Sequence, residues 1–230
     1  MNKKKEMIER AKRLIESGVF IMDPERFDLR GNLKCGKNVV IDINVIFEGN
    51  VELGDNVRIG ANCILVDSFI GNDSHIKPFS LVEGARIGKN TFIGPFGRIR
   101  HGTIIEDEVQ IGNFVEIKNS TIKNKGRINH LSFIGDADIE EDVTIGAGTI
   151  TCNHDGLNTN FTKISKGAYI GSGCNLVAPI SIGNYATIGA GSTIVKNVPD
   201  SSLTIARSKQ NTIENWKKNS KDINKSKRTK

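Results

Sequence analysis

Arg100 and Lys118 lie 18 residues apart, and each directly follows an isoleucine, Ile99 and Ile117. If 18 residues make one turn of a regular repeat, the two cations occupy the same rung of adjacent strands, with Cα atoms about 4.8 Å apart. Stacked like charges repel unless an anion sits on them. A phosphate suits the pair, because arginine offers a planar fork and lysine a point charge. Splayed, solvated side chains are the plainer alternative. Glu116 is expected one step along the strand, facing away from both cations. His130 follows in the next turn, after Ile128-Asn129, and a histidine one turn from a phosphate site suits a general base. The other histidines, His75, His101 and His154, are irregularly spread, so no three-histidine zinc site and no catalytic metal are expected.

These spacings require an element that repeats. Aliphatic residues recur six apart, as in Ile87, Ile93, Ile99, Ile105, Ile111 and Ile117, and again in Ile164, Ile170, Leu176, Ile182, Ile188 and Ile194. Glycine often follows directly, and a small residue such as Cys63, Ser74, Thr91, Ser132 or Cys174 comes four positions after the aliphatic one. Three such hexapeptides make one coil of a triangular prism, with the large aliphatic side chain pointing in. The pattern is legible from about residue 35 to 205. Intervals of five at 65→70, 82→87, 117→122 and 134→139 give coils of 17 as well as 18 residues. A helix would show spacings of three and four, and none persist. The expected fold is therefore all-β, a parallel β-helix of hexapeptide repeats. The pattern lapses between Thr151 and Ile164, where Asp155-Gly156 and several asparagines supply turn chemistry. Such an insertion becomes a loop on one face, often the binding face.

Composition agrees with a solenoid. The chain carries 24 Gly but only 2 Tyr and 1 Trp, and solenoid cores rely on stacked aliphatics rather than aromatics. The net charge of +6 is concentrated in the tail, where Lys217, Lys218, Lys221, Lys225, Lys227, Arg228 and Lys230 face only Asp222. A nucleic-acid binder would carry that charge on its folded face, so no nucleic-acid partner is expected. Residues 5–17 place Met7, Ile8, Ala11, Leu14 and Ile15 on one helical face, with Gly18 to end the helix. The organisation read from this is a helix and linker over 1–18, a β-helix over 19–208, and a basic tail over 209–230 that is disordered at its end. Cys35, Cys63, Cys152 and Cys174 form no C-x-x-C pair. No apolar run approaches the roughly 18 residues of a membrane span, and no signal peptide is visible. A cytoplasmic protein with reduced thiols is expected.

Six segments in order carry a resemblance. They are Asp23-Pro24-Glu25-Arg26-Phe27-Asp28-Leu29-Arg30-Gly31, Gly94-Pro95-Phe96-Gly97-Arg98-Ile99-Arg100, Gly112-Asn113-Phe114-Val115-Glu116-Ile117-Lys118, His130-Leu131-Ser132-Phe133-Ile134-Gly135-Asp136, Gly146-Ala147-Gly148-Thr149-Ile150-Thr151-Cys152-Asn153 and Leu176-Val177-Ala178-Pro179. From about residue 8 to 216 the chain resembles the C-terminal acetyltransferase domain of the bacterial bifunctional enzymes that acetylate glucosamine 1-phosphate and then uridylate it. The resemblance implies a left-handed parallel β-helix, against the usual right-handed crossover. It implies a homotrimer with active sites between subunits, acetyl-CoA as co-substrate, and a place in the synthesis of UDP-N-acetylglucosamine for cell wall and lipopolysaccharide. By the same resemblance His130 is the general base with Glu116 near it. Arg100 and Lys118 bind the sugar phosphate, and Ala147, Asn153, Ser172, Ala190 and Arg207 contact acetyl-CoA.

The chain departs from the family at the acceptor site. Phe133 replaces a phosphate-contacting tyrosine, Thr144 a sugar-contacting asparagine, and His154 a tyrosine beside the acetyl-CoA asparagine. A phosphate-reaching loop lysine falls at Thr159 or Asn160, with Lys163 expected to reach in its place. Each lost hydrogen bond to a charged group costs roughly 1.5–3 kcal/mol. Two further readings follow: a related acetyltransferase with a different amino-sugar acceptor, and a non-catalytic trimeric scaffold that pairs with a separate nucleotidyltransferase through the 5–17 helix. Residues 1–18 are too short for a nucleotide-binding domain, so uridyl transfer by this chain is not expected.

Overall fold

The computed structural model describes residues 3–216; the lysine-rich segment 217–230, on which the reading of a disordered tail rests, lies outside the described residues. A parallel β-helix is observed, with one helix, Lys3–Glu16, at its N-terminal end. The first face of the prism is an 11-stranded parallel sheet running from Phe20–Ile21 to Leu203–Thr204. The second and third faces share hydrogen bonds as one 17-stranded sheet, because Phe27–Cys35 and Val45–Leu53 run unbroken from one face to the other.

The inward positions hold what the six-residue spacing predicts. Ile59, Ile76, Ile93, Ile111, Ile128 and Ile145 stack up the first face, and Leu65, Val82, Ile99, Ile117 and Ile134 up the second, all essentially excluded from water. Burying each such side chain contributes about 1.5–3 kcal/mol, and the stack is continuous from coil to coil. The solenoid begins some fifteen residues before its regular periodicity does, because the nine-residue strands replace the hexapeptide rhythm with plain alternation.

The small residues at the corners do more than fit a tight space. Ser74 Oγ donates to the Gly88 carbonyl and accepts from the Thr91 amide, while Thr91 Oγ1 donates to Glu106 one coil further on. The corners need a left-handed backbone, which asparagine and aspartate tolerate better than most residues. Asn38, Asn56 and Asp73 occupy such positions and hydrogen-bond in series.

The helix covers the open end of the first coil. Ala11 is fully buried with Ile21, Phe27 and Leu29, and the Arg10 guanidinium donates to the carbonyls of Leu29 and Gly31. Gly18, at φ 98°, lets the chain turn out of the helix. All four cysteines are free thiols. Burial pushes Cys35 up to about 12 and Cys63 up to about 11, so neither is a thiolate nucleophile at neutral pH. No helix among the described residues is long and apolar enough to cross a membrane.

Candidate functional site

Arg98, Glu116, Phe133 and Ile150 form one outward row on the second face. Lys118 lies in register with Gly135, and the Arg100 amide donates to the Ile117 carbonyl, which continues the ladder and sets Arg100 against Lys118. The rung assignment of the two cations therefore holds. The expectation for Glu116 does not. Glu116 and Lys118 are two residues apart on one strand, so they share a face, and Glu116 Oε1 accepts from Arg100 Nη1 at 2.8 Å. Arg98 Nε lies 3.9 Å from the same oxygen. Lys118 Nζ lies 3.6 Å from Asp136 Oδ2. Both cations thus have carboxylate neighbours and remain partly open to solvent, able to accept an anion between them.

His130 stands at the corner between the first and second faces, in register with Asn113. Its Nδ1 is 2.8 Å from Asn113 Oδ1. An amide oxygen only accepts, so Nδ1 donates, and in the neutral imidazole the lone pair then lies on Nε2, the tautomer a general base there needs. Gly112 makes the corner tight: a Cβ there would lie 1.9 Å from the Asn129 carbonyl oxygen. Asn113 was missed by sequence reasoning. The 17-residue coil length would have paired it with His130.

The corner carrying His130 continues upward as a column. The Gly148 amide donates to His130, Gly173 to Ala147, and Gly191 to Ser172, and Arg207 Nη1 donates to the Ala190 carbonyl at 2.6 Å. His130, Ala147, Ser172, Ala190 and Arg207 thereby rise along one edge, about 19 Å for four coil steps. The left-handed position of this corner holds Phe79, Phe96, Phe114 and Leu131 in the lower coils, then Gly148, Gly173 and Gly191. The three phenylalanines stack at 5.1 and 5.0 Å between ring centroids and are about half exposed. Between His130 and Arg207 the edge is bare backbone and small side chains.

Not every expected site residue joins these groups. Thr144 projects from the first face, in register with Arg127 and Tyr169. Lys163 lies on the third face, against Asp138 and Ser181, so it does not stand in for the missing loop lysine; strand pairing resumes at Thr162 and directs it elsewhere. His154 serves its own loop, where Nδ1 accepts from the Gly156 amide. That loop is organised by Asp155, whose carboxylate accepts from the amides of Leu157 and Asn158 and from Asn160 Nδ2. These bonds, with Asn158 and Leu157 the largest, push Asp155 down to about 2. Asn153 lies at the corner between the second and third faces, where its Nδ2 donates to Asp136. A cavity of about 650 Å³, bordered by Lys34, Glu52, Phe69, Arg86 and His101, lies on the N-terminal coils and includes none of the expected site residues.

Fold and repeat together define a hexapeptide-repeat β-helix scaffold. The family model for the bacterial transferase hexapeptide (six repeats) matches residues 161–196, and that for the GMPPB C-terminal domain matches residues 29–130. Over most of its length the chain resembles the C-terminal half of the bifunctional GlmU proteins. It is 52% identical over 208 residues to bifunctional protein GlmU of Nitrosospira multiformis, an alignment covering 90% of this chain and 45% of that protein. It is 53% identical over 214 residues to the one from Nitrosomonas europaea, covering 93% and 47%. The chain thus spans about half the length of these curated relatives. The solved UDP-N-acetylglucosamine acyltransferase from Campylobacter jejuni is similar at 19% identity and a TM-score of 0.48, covering 68% of this chain and 67% of that one, too slight a likeness to bear on function.

Proposed function

We propose that the chain is an acetyl-CoA-dependent N-acetyltransferase acting on an amino-sugar phosphate, with glucosamine 1-phosphate as the first candidate acceptor. The observation that carries this reading is the single corner column in which Ala147, Ser172, Ala190 and Arg207 rise directly from His130. A long, slender thioester lying along a bare edge would bring its acyl end to the imidazole. Arg100 and Lys118 would hold the sugar phosphate, and Arg207 and Asn153 would contact acetyl-CoA. The amine nitrogen attacks the thioester carbonyl carbon while its proton passes to His130 Nε2; the carbon–sulfur bond then breaks, and the imidazolium returns the proton to the departing thiolate. Neutral donors near the carbonyl oxygen would stabilise the tetrahedral intermediate.

In a single chain the cation row and the His130 corner lie at opposite ends of the second face. Lys118 is five positions beyond Asn113, at most about 18 Å of extended chain. That separation favours a homotrimer in which one subunit's cations face another's histidine. The exposed Phe79–Phe96–Phe114–Leu131 edge supports association, because side chains of that size are seldom left exposed in a contiguous row. Phe133 has no hydroxyl to offer a phosphate, and Thr144 lies on a different face from the cations, so the acceptor is best sought in a panel of amino sugars that includes glucosamine 1-phosphate. Thiol release from acetyl-CoA tests the reading. Activity should depend on an amino-sugar phosphate and fall by about 10²–10⁴ in His130→Ala. Full turnover in that variant would remove His130 as the base, and no turnover with any amino sugar would sink the proposal.

A further inference from the structure

Asp136 is a corner residue in left-handed conformation, at φ 50°. Aspartate is common at such positions for backbone reasons alone, and Asp67 shows what that ordinary role looks like. Asp67 occupies the equivalent corner, is exposed, and uses Oδ1 to accept from the Asn50 amide. Asp136 is only 5% exposed and accepts from side chains instead. Its Oδ1 accepts from Asn119 Nδ2 at 2.6 Å, its Oδ2 accepts from Asn153 Nδ2, and Lys118 Nζ stands 3.6 Å from Oδ2. Burial by itself pushes the carboxyl up, but the Asn119 and Asn153 hydrogen bonds and the Lys118 charge outweigh it and hold the group below the usual carboxylate range.

The backbone on either side is pinned by buried hydroxyls. Thr151 Oγ1 accepts from the Gly135 amide at 2.8 Å and donates to the Gly135 carbonyl at 3.1 Å. Ser120 Oγ accepts from the Ala137 amide at 3.0 Å. The Asp136 amide donates to Lys118, and its carbonyl accepts from Thr162, where the chain rejoins the sheet after the inserted loop. A carboxylate buried with its charge intact, on a backbone fixed from both sides, is a rigid anchor. The two groups it anchors belong to different proposed subsites.

We propose that Asp136 is a positioning residue that holds Lys118 for the sugar phosphate and Asn153 for the thioester, so that one carboxylate sets the placement of both substrates. The proposal rests on the acetyltransferase reading for what Lys118 and Asn153 bind, though not for their attachment to Asp136. Asp136→Asn tests it, because asparagine has nearly the same volume and accepts a left-handed backbone. In the full chain, KM for glucosamine 1-phosphate and KM for acetyl-CoA should both rise, each by roughly 10-fold, with a smaller change in kcat. Asn119→Ala, which removes the one partner with no proposed substrate, should move both KM values in the same direction and by less. In a Lys118→Met background, Asp136→Asn should add little to the sugar-phosphate KM.

Unchanged KM values in Asp136→Asn, or effects additive with Lys118→Met, would overturn the proposal. NMR of the Asn153 side-chain amide provides a readout independent of turnover. Its protons should exchange slowly in the wild-type chain and much faster in Asp136→Asn. If the wild-type chain acetylates no amino sugar, the functional reading fails, and the amide signal alone decides whether Asp136 anchors Asn153. An Asn153 signal indifferent to the substitution overturns the anchoring as well.

Discussion

Removing the Asn113 side chain isolates what it contributes to His130. In Asn113→Ala the imidazole loses the 2.8 Å hydrogen bond to Nδ1, and with it the constraint that places the neutral ring's lone pair on Nε2. A neutral hydrogen bond contributes about 0.5–1.5 kcal/mol, a factor of roughly 2–13 in rate. His130 is exposed and Asn113 half-buried, so water replaces part of the lost interaction and the expected fall in kcat is near the middle of that range, about 5-fold. KM for both substrates should change little, since Asn113 touches neither proposed subsite directly. Asn113→Asp should lose less than Asn113→Ala, because a carboxylate oxygen accepts the same N–H. The assay is steady-state thiol release from acetyl-CoA, with His130→Ala as the floor, about 10²–10⁴ below wild type. Wild-type kcat in Asn113→Ala would refute the orienting role. A loss as deep as that of His130→Ala would refute it differently, by showing that the side chain maintains the corner itself.

Two further outcomes concern the inserted loop and its root. Thr151→Val strands the Gly135 amide and carbonyl in a fully buried position, so it should destabilise the chain by about 1–3 kcal/mol, whereas Thr151→Ser should be milder; thermal unfolding followed by circular dichroism checks this, and a variant as stable as wild type sinks the account. Asp155 is held down to about 2 by bonds that its unfolded form, near 3.8, does not make. Its support of the loop is therefore complete above about pH 4 and lost as the pH falls through about 2. The Leu157 and Asn158 amide shifts should titrate near pH 2, and a midpoint near 4 would contradict the network.

The inward aliphatic stack was legible, because a residue either repeats every five or six positions or does not. The first coil was less so, since Phe27, Leu29 and Leu33 alternate along a strand that does not stop at the corner. The side-chain contacts of the site were partly hidden by using one coil length. An interval of 18 aligns Arg100 with Lys118, whereas 17 aligns Asn113 with His130 and, further along, Asn119 with Asp136 and Asn153. Glu116 was misplaced for a simpler reason: alternation sends Ile117 inward and leaves residues 116 and 118 on one side. Thr151 carried no signal at all. It fills an inward position that neighbouring coils give to Ile134 and Leu176, and its hydroxyl is explained only by the Gly135 amide and carbonyl beside it.

The same geometry separates what holds the protein together from what it selects. Phe133, Thr144 and Thr159 lie outside the inward stack and are half-buried or exposed, so exchanging them alters no core packing. The insertion after Cys152 is tolerated for a related reason: the Thr162 amide bonds back to Asp136 and restores the ladder, so the coils on either side retain their register. If these residues select the acceptor, as proposed, its preference can change at the surface without a matching loss of stability. His130 and the residues above it have less freedom, because their spacing along the edge is set by the coil repeat itself. On the proposed reading, a β-helix of this kind would keep the reach between base and thioester fixed while leaving the acceptor-facing side chains free to vary.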